Sequence, residues 1–273
     1  MTAPEPDPVL YDAADGVAVI TLNRPDRLNA SNAAMSAGLT AAFTRAGLDP
    51  DVRVILLRGA GRGFCAGADT EVLNALSAGP DTPSNASAGL RYDGFTNLPK
   101  PVIAAIHGPC AGIGLAMACA ADIRIAADSA FFLAPFASLG LCAEGGLAWS
   151  LSRLMGQGNA TEMLLSARRI GAQEACAKGL VSLVLPAEGF ADAALDYALS
   201  IAAHAPSSFA HIKRQMAEVD AQDFETARAN AAALVPATLD HADFKEAMAA
   251  RRDKRPPRFA PVIADFAPPV SQG

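Results

Sequence analysis

The sequence predicts an α/β fold that gives way to helices alone, and three observations carry that expectation. Short apolar runs rich in β-branched residues, bounded by Gly, Pro or Asn, recur up to about residue 200. Segments with apolar residues at helical spacing lie between them. From Phe190 on only the helical period remains.

Taken in order, Val9 to Asp12 and Val17 to Asn23 alternate as a hairpin around Asp15-Gly16. Asn23 to Asn29 is a loop, and Ser31 or Asn32 can cap the helix that follows. On that helix Met35, Leu39, Ala42 and Phe43 share one face. Val52 to Leu57 is a strand, Gly59 to Gly63 a turn, and Phe64-Cys-Ala-Gly-Ala-Asp69 leads into another helix. Asn74 to Gly89, built of Ser, Gly, Pro, Asn and Ala, reads as a surface loop. Pro101 to Ile106 is a buried strand that His107-Gly108-Pro109 breaks. Gly112-Ile113-Gly114 then opens Leu115 to Ala121, a helix apolar on every side.

Two short strands follow, Ile123 to Ala126 and Phe131 to Leu133. Pro135 to Gly146 is a long loop that carries one carboxylate, Glu144, among apolar neighbours. Helices are expected at Leu147 to Met155, Ala160 to Ser166 and Ala172 to Lys178, with a strand at Val181 to Leu185. Phe190, Ala193, Ala194, Tyr197, Ala198 and Ile201 mark an amphipathic helix. Further helices start near Ser207, Asp223 and Ala242, and Pro256-Pro257 stops the last. The division expected is a mixed core over residues 1–204 and a helical region over 205–273.

Composition narrows the function. A formal net charge of −6 argues against a nucleic-acid partner. No apolar run reaches the ~18 residues of a membrane span, and the acidic, proline-rich MTAPEPDPVLYD lacks a signal-peptide pattern. Five cysteines without a Cys-x-x-Cys pair, and a C-terminus lacking a Ser-Lys-Leu address, point to a cytoplasmic protein. The four histidines have no ligand spacing, so no metal is expected. Cys65 or Cys142 could serve as a nucleophile, but a small buried thiol is the simpler reading.

Three readings fit Gly112-Ile113-Gly114. Glycine and alanine let a helix pack hard against a sheet. A dinucleotide fingerprint is disfavoured, because Met117 stands where its third glycine belongs. The third reading is an oxyanion hole, in which the free N–H groups of a helix start meet a second donor. Ala66-Gly67-Ala68-Asp69, a second strand-to-helix turn of small residues, could supply that donor. Glu144 is then the candidate base, its charged form disfavoured by Phe136, Leu139, Leu141 and Trp149 around it. The alternative is a solvated loop carboxylate or a helix N-terminal charge beside Gly145.

Five pieces, in this order, give the chain a resemblance to the crotonase (enoyl-CoA hydratase/isomerase) superfamily over nearly its whole length. They are Asn23-Arg-Pro-Asp-Arg-Leu-Asn-Ala30, Gly63-Phe-Cys-Ala-Gly-Ala-Asp69, Lys100-Pro-Val-Ile-Ala-Ala-Ile-His-Gly108, Ala121-Asp-Ile-Arg124 and Gly179-Leu-Val181. The resemblance implies a spiral of ββα repeats with a C-terminal helical subdomain for oligomerisation and CoA capping. Assembly would be as a homotrimer or hexamer. It further implies an acyl-CoA substrate, with coenzyme A part of that substrate and no separate cofactor. The thioester oxygen would be held by the N–H groups of Ala68 and Ile113.

Hydratases of the superfamily carry two glutamates, at positions matching Ala116 and Phe136 here, so water addition is not expected. Ala134 to Gly146 instead resembles the peroxisomal type of Δ3,Δ2-enoyl-CoA isomerase, whose Glu-Gly-Gly glutamate moves the proton. That likeness lands on Glu144 as the catalytic residue. By the same likeness Ala66, Gly67, Asp69, Thr70, Gly112, Phe136 and Leu141 line the substrate, and Arg27, Leu28 and Lys254 lie along CoA. Many relatives carry a lysine shortly after the Ala-Asp pair, where this chain has Thr70-Glu71. Lys254 could equally be part of a solvated basic tail, and Asp122 is expected to be a structural hydrogen-bonding residue. Two other functions are kept open: a silent acyl-CoA binder, and another crotonase reaction such as hydrolysis or decarboxylation.

Overall fold

The computed structural model describes residues 6–69 and 98–261, together with residues 71, 74 and 95. Most of the expected 74–89 loop, and Thr70, lie outside the described residues. The strands are β1 (Val9–Ala14), β2 (Val17–Leu22), β3 (Val54–Gly59), β4 (Val102–Ile106), β5 (Pro109–Ala111), β6 (Ile123–Ala127), β7 (Phe131–Leu133), β8 (Ile170–Gly171) and β9 (Leu183–Leu185). We number the helices α1 (Ala33–Leu48), α2 (Ile113–Ala120), α3 (Leu147–Ser166), α4 (Ala172–Ala177), α5 (Phe190–Ala202), α6 (Pro206–Ala217), α7 (Phe224–Asp240) and α8 (Ala242–Asp253).

Apolar runs become strands buried on both faces. One sheet has the order β1-β2-β3-β4-β6-β9, antiparallel at the β1–β2 hairpin and parallel elsewhere. Alternation sorts its side chains between two cores. Val54, Leu56, Ile103, Ala105 and Ile125 pack against Phe190, Ala194 and Ala198 of α5. Ile55, Leu57, Val102, Ala104 and Ile106 face the other way, onto α1 and α2. The small residues of α2 serve this core, in which Leu115, Met117 and Ala118 are fully buried.

A second sheet, β5-β7-β8, stands beside the first. Its first strand was expected to be a break, and the correction has a simple cause. Pro109 occupies the strand's first position, where no ladder N–H is lost, and its carbonyl accepts from the N–H groups of Phe64 and Cys65, each at 3.1 Å. The helices expected at Leu147 to Met155 and Ala160 to Ser166 run together as α3, interrupted at Gly156, whose φ is +76°. Asn32 is the cap of α1, its side chain accepting from Met35 N–H at 2.9 Å. The other end of α1 is closed by Lys100, whose buried ammonium donates to the carbonyls of Ala46 (2.7 Å) and Asp49 (2.5 Å).

After β9 only helices follow among the described residues. They are tied to the sheet by Asp122, whose carboxylate accepts from Val102 N–H at 2.7 Å and from Lys213 of α6 at 2.5 Å. Lys213 also donates to the carbonyl of Lys100 at 3.0 Å. All five cysteines are free thiols. Among the described residues no helix is long and apolar enough to cross a membrane, and no cluster of side chains could hold a metal ion.

Candidate active site

Two glycine turns meet beside the N-terminus of α2. Residues 64–66 pair with 109–111 through the Cys65–Cys110 bridge, with Ala111 N–H donating to Cys65 carbonyl at 2.9 Å. Gly114, in the first turn of α2, sits so tightly on this segment that an added Cβ would lie 2.3 Å from the Cys65 carbonyl oxygen. Gly67 and Gly112 adopt φ of +112° and +51°, values that favour glycine. The two turns touch: a Cβ on Gly112 would stand 3.8 Å from Gly67 Cα.

The amides of Ala68 and Ile113 have no acceptor among the described residues, as is also true of Gly114 and Leu115 in the first turn of α2. For Ala68 the cause is strand pairing. Ser31 N–H donates to Gly67 carbonyl (2.8 Å) and Asp69 N–H donates to Ser31 carbonyl (2.9 Å), so the intervening Ala68 N–H points to the other side. Ile113 is the first residue of α2, where an N–H has no partner in its own helix, and Gly112 offers no capping side chain. Leu28 runs alongside, its carbonyl accepting from Ala66 N–H at 3.0 Å.

The loop from Pro135 to Gly146 crosses the first turn of α2. Gly140, Gly145 and Gly146 all have positive φ, and they give the loop its course. Pro135 lies by Gly112, and a Cβ on Gly145 would come within 2.9 Å of the Ala116 methyl. Glu144 is therefore carried next to the helix end that holds Ile113. Its side chain is exposed, and here the environment differs from expectation. Phe136 is buried, but Leu139, Leu141 and Trp149 are 56%, 43% and 65% exposed, because the loop lies on the outside of the chain. Exposed as they are, they do not enclose Glu144.

The remaining expected residues divide. Ala66 and Gly67 join Ala68 in the turn. Arg27 and Leu28 lie on the neighbouring loop, Arg27 exposed and 3.4 Å from Glu71. Lys254 ends α8 in a left-handed conformation and is exposed. Cys65 is no nucleophile, since complete burial pushes its thiol up to about 11. Asp69, expected among the substrate-lining residues, is only 3% exposed, and its carboxylate is taken by Arg24 at 2.7 Å and by Glu71 N–H at 3.2 Å.

Burial alone would raise the Asp69 carboxyl, but Arg24, with the Glu71 N–H and Arg27, holds it below the ordinary carboxylate value. Stability drawn from such a group is present above about pH 4 and lost as pH falls through the lower folded value. The melting temperature of the wild type should therefore drop more steeply between about pH 4 and pH 2 than that of Asp69→Asn. Equal slopes would show that the pair has no linkage to acid stability.

Sequence reading did not single out Arg24 or Asn29 from the loop that carries them. Asn29, fully buried with φ of +56°, donates to the carbonyls of Ala60 (2.9 Å) and Gly63 (2.8 Å). An asparagine between a proline turn and a small residue was the available signal.

Chemically, free backbone amides at the meeting of two turns suit a reaction in which an oxygen gains negative charge. The chain belongs to the enoyl-CoA hydratase/isomerase family, whose model matches residues 12–261, and its fold is the crotonase fold of an acyl-CoA-processing enzyme. A probable enoyl-CoA hydratase of Rhodobacter capsulatus is 37% identical over 257 residues, covering 92% of this chain and 97% of that one. The 1,2-epoxyphenylacetyl-CoA isomerase of Escherichia coli is 34% identical over 255 residues, 92% of this chain and 97% of its own. The crystal structure of an enoyl-CoA hydratase from Polaromonas sp. JS666 superposes with a TM-score of 0.86 at 31% identity, covering 92% and 99% of the two chains.

Proposed function

We propose that this enzyme moves the double bond of a 3-enoyl-CoA into conjugation as a 2-enoyl-CoA. Ionised Glu144 removes a proton from C2, and the negative charge that reaches the thioester oxygen is held by the Ala68 and Ile113 amides. The same carboxyl returns the proton at C4. One carboxyl suffices, since no water is consumed.

The observation that supports this reading most is the make-up of the first turn of α2. It presents a free amide at Ile113, with Gly145, the residue after Glu144, against Ala116. The two positions where hydratases carry glutamates are Ala116 and Phe136, 5% and 6% exposed, and neither can activate water. The Escherichia coli relative is named an isomerase, though of an epoxyphenylacetyl-CoA, and the names of the hydratase relatives favour water addition instead.

One experiment separates them. Mixing the enzyme with 3-hexenoyl-CoA should raise the conjugated-enoyl absorbance, and substrate deuterated at C2 should carry label to C4 in H2O. Loss of that absorbance from 2-hexenoyl-CoA would make it a hydratase, free CoA a hydrolase, and no change with either substrate a silent binder. We also place the enzyme in the cytoplasm as a homotrimer or hexamer; Ile212, Met216, Phe224, Leu239 and Met248 on α6 to α8 are exposed in the single chain and suit subunit contacts.

A further inference from the structure

We infer that Arg24 is a positioning residue for the Ala68 amide. This rests on the reading that Ala68 N–H is one of the two oxyanion donors. The Ser31–Ala68 bridge joins two segments of chain, and one guanidinium clamps both of them. Nη1 of Arg24 donates to the carbonyl of Ala30, the residue before Ser31, at 2.5 Å. Nη2 donates to the carboxylate of Asp69, the residue after Ala68, at 2.7 Å. The main chain of Arg24 is held in turn, its N–H donating to Asn29 Oδ1 at 2.8 Å.

The pair is sheltered, with side chains 21% and 4% exposed for Arg24 and Asp69. A planar guanidinium making two directed bonds fixes an angle that a single contact leaves free. The angle matters here. The direction of the Ala68 N–H is set by how the 67–69 segment lies against Ser31, and no hydrogen bond among the described residues holds Ala68 itself. Asp69 carries the restraint to within one residue of the donor, yet its carboxylate faces Arg24. Neither side chain is needed to touch the substrate.

A merely structural pair and a positioning pair differ in what they move. Displacing one oxyanion donor by a fraction of its hydrogen-bond length weakens the transition state and leaves the ground-state thioester almost as well bound. Arg24→Met should therefore lower kcat for 3-hexenoyl-CoA by about 10- to 100-fold with KM changed less than about threefold. Arg24→Lys keeps the charge and one of the two bonds, and should recover part of the loss.

The direct readout is acetoacetyl-CoA, a thioester that ionises to an absorbing enolate when its oxygen is stabilised. Wild type should show the bound enolate, and Arg24→Met should lose most of it while butyryl-CoA binds as before. Should Arg24→Met fail to fold, Asp69→Asn removes the same charge pair and is measured the same way. If wild type shows the enolate and the folded variant keeps it with kcat unchanged, the positioning role is overturned and the donor assignment stands. If wild type shows no enolate, the donor assignment fails and the role of Arg24 falls with it.

Discussion

Glu144→Gln should slow isomerisation of 3-hexenoyl-CoA by about a thousand-fold, with KM within a few-fold of wild type. The substitution keeps the shape of the side chain and the Glu144 carbonyl, which accepts from Leu147 N–H at 3.1 Å and so holds the loop. What it removes is the only carboxylate between Pro135 and Gly146. A thousand-fold is about 4 kcal/mol of barrier, within the range that a positioned acid–base group contributes. Single-turnover rates with the variant decide the matter. Turnover within a few-fold of wild type would mean that another group carries the proton, and the mechanism would have to be abandoned.

The second large effect is expected from Gly114→Ala. An alanine Cβ there would stand 2.3 Å from the Cys65 carbonyl oxygen and 2.7 Å from the Cys65 Cβ, and neither atom belongs to a flexible side chain. The helix start must back away, taking the Ile113 amide with it, while Ala68 stays with the other turn. Losing one oxyanion donor typically costs 10²–10³ in kcat, so a fall of about 100-fold is expected. Overpacking should add about 1–3 kcal/mol of destabilisation, seen as a lower denaturation midpoint. Gly158→Ala is the control, because a Cβ at Gly158 meets nothing within 4 Å. A Gly114→Ala enzyme with wild-type kcat would separate the tight packing from the chemistry.

The strands were legible because runs such as Val54 to Leu57 are apolar throughout, as burial on both faces requires, but which residue meets which core was not. The glycine turns were legible as turns, and the two donors followed from family likeness and not from spacing. Three features were hidden. β5 begins with proline, which reads as a stop unless its carbonyl finds a second segment, and that segment lies some 45 residues earlier in the chain. The surroundings of Glu144 misled for a different reason, since apolar neighbours in sequence need not enclose, and Leu139 and Trp149 turn outward. The Arg24–Asp69 pair is separated by 45 residues, and no local pattern joins an arginine to a carboxylate across that distance.

Both groups assigned to the thioester oxygen belong to peptide units and not to side chains. The letters at positions 68 and 113 therefore encode little of the chemistry, and a saturation library should accept several substitutions there. Intolerance should concentrate next door, at Gly67, Gly112 and Gly114, where any added carbon meets left-handed backbone or a neighbouring carbonyl. In such a library the working amides would be visible only by the shadow they cast on their neighbours.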